Sequence, residues 1–325
     1  MFELILISVL LALMSLSVYQ KINNAVCKSK RRLDGKTVLV TGGTSGLGLI
    51  IAQDFATRGA RVIVACPFEE EGLNGRKEII EKSGNQNVVY KYVDFSSLNT
   101  VREFAKDILN TETRLDILVN NAGVGIPGDF MTKDGMNFIL QVNYYAHFLL
   151  TILLLPLLRR TGTANDPARI INMSSITHRI ASSNVDNYNR AGYWMKLRIY
   201  ANSKLCLILF ARELARRLAG KHVVVNCADP GFAATRIYRS GHELLGFIAI
   251  GLILLFAKTP FEGAQTAIYL GVDDAGTVNG EYFANCKQIK ANSMAYNEKS
   301  VKKLWDQSMK LVQLNDNDLD DLIEA

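Results

Sequence analysis

K-T-V-L-V at Lys36–Val40 runs directly into T-G-G-T-S-G-L-G at Thr41–Gly48, and the reading of that junction decides the fold. The first part is short, apolar and β-branched, as suits a strand covered on both faces. The second is a glycine string that opens a helix near Leu47. On a strand-to-helix turn each glycine has a task. Gly42 permits the tight turn, Gly46 lets a pyrophosphate approach the backbone, and Gly48 lets the helix pack on the sheet. The free N–H groups of the helix start would hold anionic phosphates, with Thr44, Ser45 and Leu47 completing the turn. The spacing is G-x-x-x-G-x-G. Such a string is weak alone, and its strand-to-helix context is what gives it meaning.

Working outward, short apolar runs alternate with helical periodicity, the pattern of a parallel sheet with crossover helices. Strands are expected at Lys36–Val40, Arg61–Ala65, Val88–Asp94, Leu115–Asn120, Ala168–Met173, His222–Cys227 and Glu281–Phe283. Helices are expected at Leu47–Arg58, Gly75–Lys82, Ser97–Leu109, Thr132–Leu158 and Ile199–Leu218. With no repeat and no low-complexity linker, these make one α/β domain, a Rossmann-type doubly wound parallel sheet over 33–290, with a helical, acidic tail at 291–325. Leu244–Ala257 (L-L-G-F-I-A-I-G-L-I-L-L-F-A) interrupts the plan. Fourteen apolar residues are too few to cross a bilayer and suit a buried or an interfacial helix.

The chain has 325 residues, 49% apolar and 21% charged, which describes a globular protein with a large core. Its formal charge of +6 is unevenly placed. Residues 1–32 carry +4, because Lys21, Lys28, Lys30, Arg31 and Arg32 outweigh Glu3, and 315–325 carry −5. The body between them has no dense basic stripe, so nucleic acid is not an expected partner. Five cysteines (27, 66, 206, 227 and 286) lie far apart without a C-x-x-C, which indicates neither zinc nor a disulfide framework and favours a reducing compartment. Phe2–Val18 is nearly all apolar, with Glu3 its only charge. It lacks the positive start and small-x-small site of a cleaved signal peptide. Residues 1–32 are therefore expected to be an uncleaved membrane anchor with a basic flank. The Lys/Arg cluster at 21–32 then keeps the body on the cytosolic side.

Y-A-N-S-K at Tyr200–Lys204 places a phenol and an ammonium one turn apart on one helix face. The cation favours the ionised phenol, drawing it down from its ordinary pKa of about 10 toward that of a usable acid/base. Ser175 follows the expected strand Ala168–Met173 at its carboxyl edge, where open α/β sheets build their sites. His147 and His178 lack a Ser or Cys at nucleophile spacing and a ligand cluster, so Ser-His-Asp chemistry and metal hydrolysis are unsupported. Both are expected to be structural or substrate-lining.

Five motifs now stand in order: T-G-x-x-x-G-x-G, N-N-A-G at Asn120–Gly123, N-M-S-S ending at Ser175, Y-x-x-x-K, and P-G-x-x-x-T at Pro230–Thr235. Over about 33–285 this order resembles that of the short-chain dehydrogenases/reductases. L-L-T-I-L-L-L-P-L-L at 149–158, R-E-L-A-R-R-L at 212–218 and K-T-P-F-E-G-A-Q-T at 258–266 are similar to its membrane-anchored retinol-dehydrogenase group. T-G-G-T, with D-P-G at 229–231 where most of that group has H-P-G, resembles the group's polyprenol-oxidising branch. The resemblance implies an NAD(P)-dependent oxidoreductase whose catalytic residues are Asn143, Ser175, Tyr200 and Lys204. Ser175 would bond the substrate oxygen and Tyr200 would pass the proton. Lys204 would tune Tyr200 and bond the nicotinamide ribose. Asn143 would seat a water for proton relay, the competing account being a buried asparagine with merely structural bonds. Ser174 is expected to be structural. Cofactor contacts are implied for Asp94 at the adenine, Asn121, Ala122 and Gly123 along the adenosine side, and Pro230, Gly231 and Thr235 around the carboxamide. Asp94 could equally cap the helix that follows.

An acidic residue about 20 positions past the glycines selects NAD, and an arginine there welcomes NADP. Here the second strand ends Ala65-Cys66-Pro67-Phe68, where related enzymes typically carry arginine at the Pro67 position. Glu69, Glu70 and Glu71 would repel a 2′-phosphate if they faced it, and Arg76 and Lys77 are the cations that could reach back. NADP or NAD is expected, with dual use open. The variable segment 235–260 carries Leu244–Ala257 beside the expected nicotinamide position. In a tethered protein this suggests a lipidic alcohol or carbonyl, polyprenol- or dolichol-type before retinoids, with steroids third. The expected partners are that small molecule and a membrane, of the endoplasmic reticulum or a lipid droplet, with a homodimer left open. A catalytically silent cofactor-binding scaffold is the alternative from another class.

Overall fold

A computed structural model describes Ser15, Val18 and residues 24–125, 128–193, 195–231 and 258–324. Nearly all of the expected anchor Phe2–Val18, together with Thr235 and Leu244–Ala257, falls outside the described residues. The junction that opens the sequence forms β1 (Thr37–Thr41), buried at every position. Its parallel neighbours are β2 (Arg61–Cys66) and β4 (Ile117–Asn120). Beyond β2 lies β3 (Val88–Tyr92). Beyond β4 lie β5 (Ala168–Met173), β6 (Val223–Asp229), β7 (Tyr282–Ala284) and β8 (Lys287–Gln288). The order is β3-β2-β1-β4-β5-β6-β7-β8, and β8 alone pairs antiparallel. The order reverses between β1 and β4, so the loops leaving their carboxyl ends part there and open a crevice.

Among the described residues, eight longer helices accompany the sheet: α1 (Gly46–Thr57), α2 (Glu69–Ser83), α3 (Leu98–Thr111), α4 (Ala146–Thr161), α5 (Lys196–Arg217), α6 (Pro260–Val272), α7 (Glu298–Leu311) and α8 (Asp316–Glu324). Strand alternation sends Val38 and Val40 to one core with α1, α2 and α6, and Leu39 to another with α3, α4 and α5. The helix running from Phe138 to Thr161 is long and apolar enough to cross a membrane, yet most of it is buried inside the protein. It is a core helix under the sheet.

Three differences from the expected elements have local causes. The helix expected from Thr132 begins instead at Phe138, because Gly135 adopts φ +72° and Met131 bridges to Asn137 in a tight antiparallel turn. Asn137 then caps the helix, its side chain accepting from the N–H groups of Ile139 and Leu140. A π-helical turn at Gln141–Tyr145 separates that start from α4. The helix expected over Gly75–Lys82 starts six residues earlier, at Glu69. Gly72 and Gly75 are not breakers here but contact points. A Cβ on Gly72 would lie 2.2 Å from the Tyr90 ring, and one on Gly75 would lie 2.8 Å from Thr44 Cα. No element is expected from periodicity at α6, which nevertheless begins with a capping box between Thr259 and Glu262 and proline in its first turn.

Helix α7, next to last in the chain, joins the main core through Trp305, which is 2% exposed and whose ring centroid lies 5.1 Å from that of Phe148 and 6.0 Å from that of Phe210. Trp305→Ala is expected to cost about 3–5 kcal/mol, the usual range for emptying so large a buried site. Trp305→Phe should cost much less, because the indole Nε1 has no hydrogen-bond partner to lose. Denaturant midpoints of the two variants check this contrast.

Candidate active site

The glycine turn is built by exclusion. Gly42 and Gly46 adopt φ of +60° and +56°, the left-handed region that glycine enters without a Cβ penalty. A Cβ on Gly48 would lie 2.2 Å from Gly42 O and 2.4 Å from Asn121 Nδ2. The third glycine therefore lets α1 close on the first glycine's carbonyl and on Asn121, a tighter demand than helix-to-sheet packing. A Cβ on Gly46 would meet nothing within 4 Å. The amino end of α1, with its unsatisfied N–H groups, thus faces open space.

Behind that turn lies a buried network. Thr41 Oγ1 accepts from the N–H of Asn121 at 2.9 Å and of Ala122 at 3.0 Å, and lies 2.9 Å from His147 Nε2. His147 Nδ1 is 3.3 Å from the Asn143 carbonyl, which can only accept, so Nδ1 carries the proton and Nε2 takes the Thr41 hydroxyl hydrogen. Burial pushes the His147 pKa down to about 3, keeping the ring neutral in this tautomer. Asn121 Nδ2 completes the lock by donating to the carbonyls of Thr41 and Gly42 at 2.9 and 3.1 Å.

A cleft of about 600 Å³ opens at the carboxyl edge, lined among others by Gly42, Thr44, Ser45, Gly46, Leu47, Asp94, Asn121, Ala122, Gly123, Ser175, Tyr200, Lys204, Pro230 and Gly231. Gly48 lies directly behind this lining, and Thr235 lies outside the described residues. Tyr200, Ser175 and Lys204 are each almost fully buried, at 7%, 6% and 5% exposure. Lys204 Nζ donates to Met173 O at 2.9 Å and sits 5.5 Å from the centre of the Tyr200 ring. Burial lowers the Lys204 pKa to about 8, while the charge of Asp229 pulls the other way. Ser175 Oγ accepts from Thr177 N at 3.3 Å. Ser174, as expected, is structural, its hydroxyl donating to Lys204 O at 2.9 Å.

Asn143 stands in the π-helical turn, fully buried. Its Oδ1 accepts from Val124 N at 2.7 Å, and its Nδ2 donates to Val124 O and Ser203 Oγ, each at 3.1 Å. A Cβ on Gly123 would fall 3.3 Å from Asn143 Oδ1 and 3.6 Å from Lys204 Nζ, so Gly123 keeps both polar groups at the cleft wall. Asp94 does two things at once. It lines the cleft, and its Oδ1 accepts from the N–H and hydroxyl of Ser96, both at 2.8 Å.

The far end of the cleft is acidic and aromatic. Pro67, Phe68, Tyr92 and Glu71 line it, and Thr44 Oγ1 donates to Glu71 Oε1 at 3.0 Å across the glycine turn. Arg76 and Lys77 do not reach back to it. Arg76 Nε donates to Val88 O at 2.8 Å, and Lys77 pairs outward with Glu81 at 3.8 Å. Among the described residues lining the cleft, Lys204 is the one cation.

A family model described as short chain dehydrogenase matches residues 36–243. The chain belongs to the short-chain dehydrogenases/reductases. It is 36% identical to human retinol dehydrogenase 11, over 96% of each chain. It is 40% identical to mouse retinol dehydrogenase 14, over 86% of each. Among solved structures it resembles a Pseudomonas aeruginosa RhlG/NADP complex at TM-score 0.64 and 30% identity, covering 78% of this chain and 95% of that one. It is accordingly an NAD(P)-dependent enzyme of this family. The cleft fits such a nucleotide, since Gly42, Gly46, Gly123 and Gly231 line it with bare backbone and the amino end of α1 faces open space at Gly46.

Neither histidine is a free acid/base of this family member. His178 is fully buried, its Nε2 accepting from Asn292 N at 3.1 Å, so that Nδ1 donates to the Ser175 carbonyl at 2.7 Å. The roles of Thr41 and His147 carry no spacing signal, because their partners are up to 106 residues distant. Thr41→Val removes the acceptor of two half-buried N–H groups, each worth up to about 1–3 kcal/mol when left unpaired. The expected outcome is a lower unfolding midpoint together with weaker cofactor binding, measured by chemical denaturation and by nucleotide titration.

Proposed function

We propose that this enzyme interconverts a lipidic alcohol and its aldehyde or ketone by hydride transfer, at an endoplasmic-reticulum or lipid-droplet membrane, with its body in the cytosol. The observation that carries the reading is the meeting of Tyr200, Lys204 and Ser175 at one end of the cleft that the glycine turn opens at the other. A bound nicotinamide ring supplies or takes the hydride. Ser175 Oγ orients the substrate oxygen, and Tyr200 gives it a proton in reduction or takes one in oxidation. Lys204, charged and close to the Tyr200 ring, favours the phenolate. Pro230, Gly231 and Thr235 would frame the carboxamide of the bound nucleotide. Asn143, whose side chain bonds Val124 and Ser203, is the residue proposed to seat the relay water.

A long isoprenoid alcohol of polyprenol or dolichol type is the favoured substrate, ahead of a retinoid. Support comes from D-P-G and T-G-G-T, and from the apolar stretch Leu244–Ala257 in a chain with an apolar amino-terminal segment. The relatives named for retinol keep the retinoid in second place. Side-by-side assays with polyprenol, retinol and a hydroxysteroid decide among them, and equal rates on short water-soluble alcohols would count against a lipid substrate. Tyr200→Phe should leave cofactor binding near normal while lowering kcat/KM by about 10²–10⁴. Lys204 is an ammonium below about pH 8 and a neutral amine above it. Losing that charge lets the Tyr200 pKa rise, so kcat/KM for oxidation should turn down on the alkaline side near pH 8. An undiminished rise through pH 9 would contradict Lys204 as the tuning group.

NAD is the favoured nucleotide. Glu71 faces the cleft from the start of α2, and no described lining cation stands near it to receive a 2′-phosphate. A like charge in such a position costs several kcal/mol. Glu71→Gln should therefore improve NADP affinity by about tenfold or more while changing NAD affinity less. Titration with NADH and NADPH, followed by nicotinamide fluorescence, gives the ratio. An unchanged ratio would remove Glu71 as the discriminating group.

A further inference from the structure

Two apolar stretches of sequence, Phe2–Val18 and Leu244–Ala257, lie almost wholly outside the described residues, and the described residues nearest to them in the chain meet at one place. Asn285, in the turn between β7 and β8, accepts on Oδ1 from the Ala25 N–H at 2.8 Å and from Lys258 Nζ at 3.2 Å. Asn24 Nδ2 donates to Glu262 Oε1 at 3.0 Å, and a Cβ on Gly231 would lie 3.1 Å from Lys258 Cε. Residues 24, 231 and 258 are the exits to 1–23 and to both ends of 232–257. They converge on the start of α6 and the β7–β8 turn, at the same carboxyl edge of the sheet that carries the cleft.

The surface around that convergence is apolar and basic. Val26, Phe261, Ile176 and Ile180 are 45%, 53%, 46% and 48% exposed, and Arg179, Lys287 and Lys290 are exposed beside them. The parts are continuous. Arg179 Nη2 donates to Lys290 O at 2.9 Å, and the His178 ring packs edge-on against Tyr282 of β7 at 4.7 Å between centroids. Within 176–180, 258–262 and 285–290 the one acid is Glu262, whose carboxylate is occupied by Asn24 and by the N–H and hydroxyl of Thr259. Apolar side chains set among cations suit anionic headgroups lying over acyl chains.

We propose that this face, from Val26 and Phe261 across the β7–β8 turn to Ile176 and Ile180, lies against an anionic lipid surface. Ser175 immediately precedes Ile176, so the cleft opens at the level of the headgroups. An apolar alcohol then reaches Tyr200 and Ser175 from the lipid without crossing water. The inference rests on the anchored reading given under Proposed function and adds which side of the body meets the membrane.

The full chain, reconstituted into phosphatidylcholine vesicles containing phosphatidylserine and floated on a density gradient, is treated with a water-soluble amine-acylating reagent. Lys287 and Lys290 should be modified several-fold more slowly than Lys77 and Lys106, which are exposed on α2 and α3. Equal modification of all four in the floating chain overturns the face and leaves the anchoring intact. A chain that does not float overturns both. The double variant Lys287→Glu/Lys290→Glu should raise KM several-fold for an alcohol carried in the same vesicles and leave KM for a short soluble alcohol unchanged. No change in either KM also overturns the assignment.

Discussion

A single buried hydroxyl, Thr41 Oγ1, ties together the parts on which the site depends. It ends β1, receives the N–H groups of Asn121 and Ala122 as they leave β4, and donates to the His147 ring that also holds the Asn143 carbonyl. Strand, cofactor-side loop and π-helical turn therefore share one register. With Asn121 gripping the carbonyls of Thr41 and Gly42, little freedom remains for the glycine turn. Gly48 is required because α1 must approach this locked unit more closely than any side chain allows. A neutral histidine suits the junction, since a buried imidazolium would need a counter-charge, and none pairs with it here.

The cleft is electrically asymmetric. Lys204 stands at the end that carries Tyr200 and Ser175, and Glu71 stands at the other end, braced by Thr44. Between them the glycines present backbone N–H groups instead of formal charge. Under the proposed function the pyrophosphate of the dinucleotide would be held by dipoles at the glycines, with Lys204 at the proton-transfer end and Glu71 at the end proposed to choose the nucleotide. Asp229, fully buried under the Pro230–Gly231 turn, accepts from Gly231 N at 2.7 Å and from the Tyr282 hydroxyl. Its charge favours the protonated form of Lys204 against the cost of burial.

Both ends of the described chain act on this frame from outside. The amino-terminal segment runs along α6, with Cys27 N on Gln265 Oε1 at 3.0 Å and Ser29 Oγ on Val272 O at 3.2 Å, before Arg31 pairs with Asp166 at 2.5 Å. Helix α7, next to last in the chain, seals the other core through Trp305, over which Arg217 lies 4.4 Å from the ring centre. The described amino-terminal residues and the sheet are thus held together through α6.

The order of strands, the glycine turn and the Tyr200–Lys204 pair were legible because each is a local pattern. A short continuous apolar run, a G-x-x-x-G-x-G on a strand end and an i, i+4 pair need no knowledge of distant residues. The capping box at Thr259–Glu262 was legible too, and would have announced α6. What tertiary structure alone decided involves residues far apart in the chain. The helix expected from Gly75 gains its first turn at Glu69, and the close approach of Tyr90 to Gly72 and of Thr44 to Gly75 shows only in the packing. Glu71 reads as one of three equivalent acids until Thr44 singles it out. Arg76 and Lys77 read as candidates for a phosphate until their side chains are seen turned to Val88 and Glu81. The sequence by itself determined which backbone conformations and which chemical groups this protein has. Their distances, and hence which charges face the cleft, depend on how separate elements pack, as Glu71 does on the glycine turn and Arg76 on β3, which a local pattern does not encode.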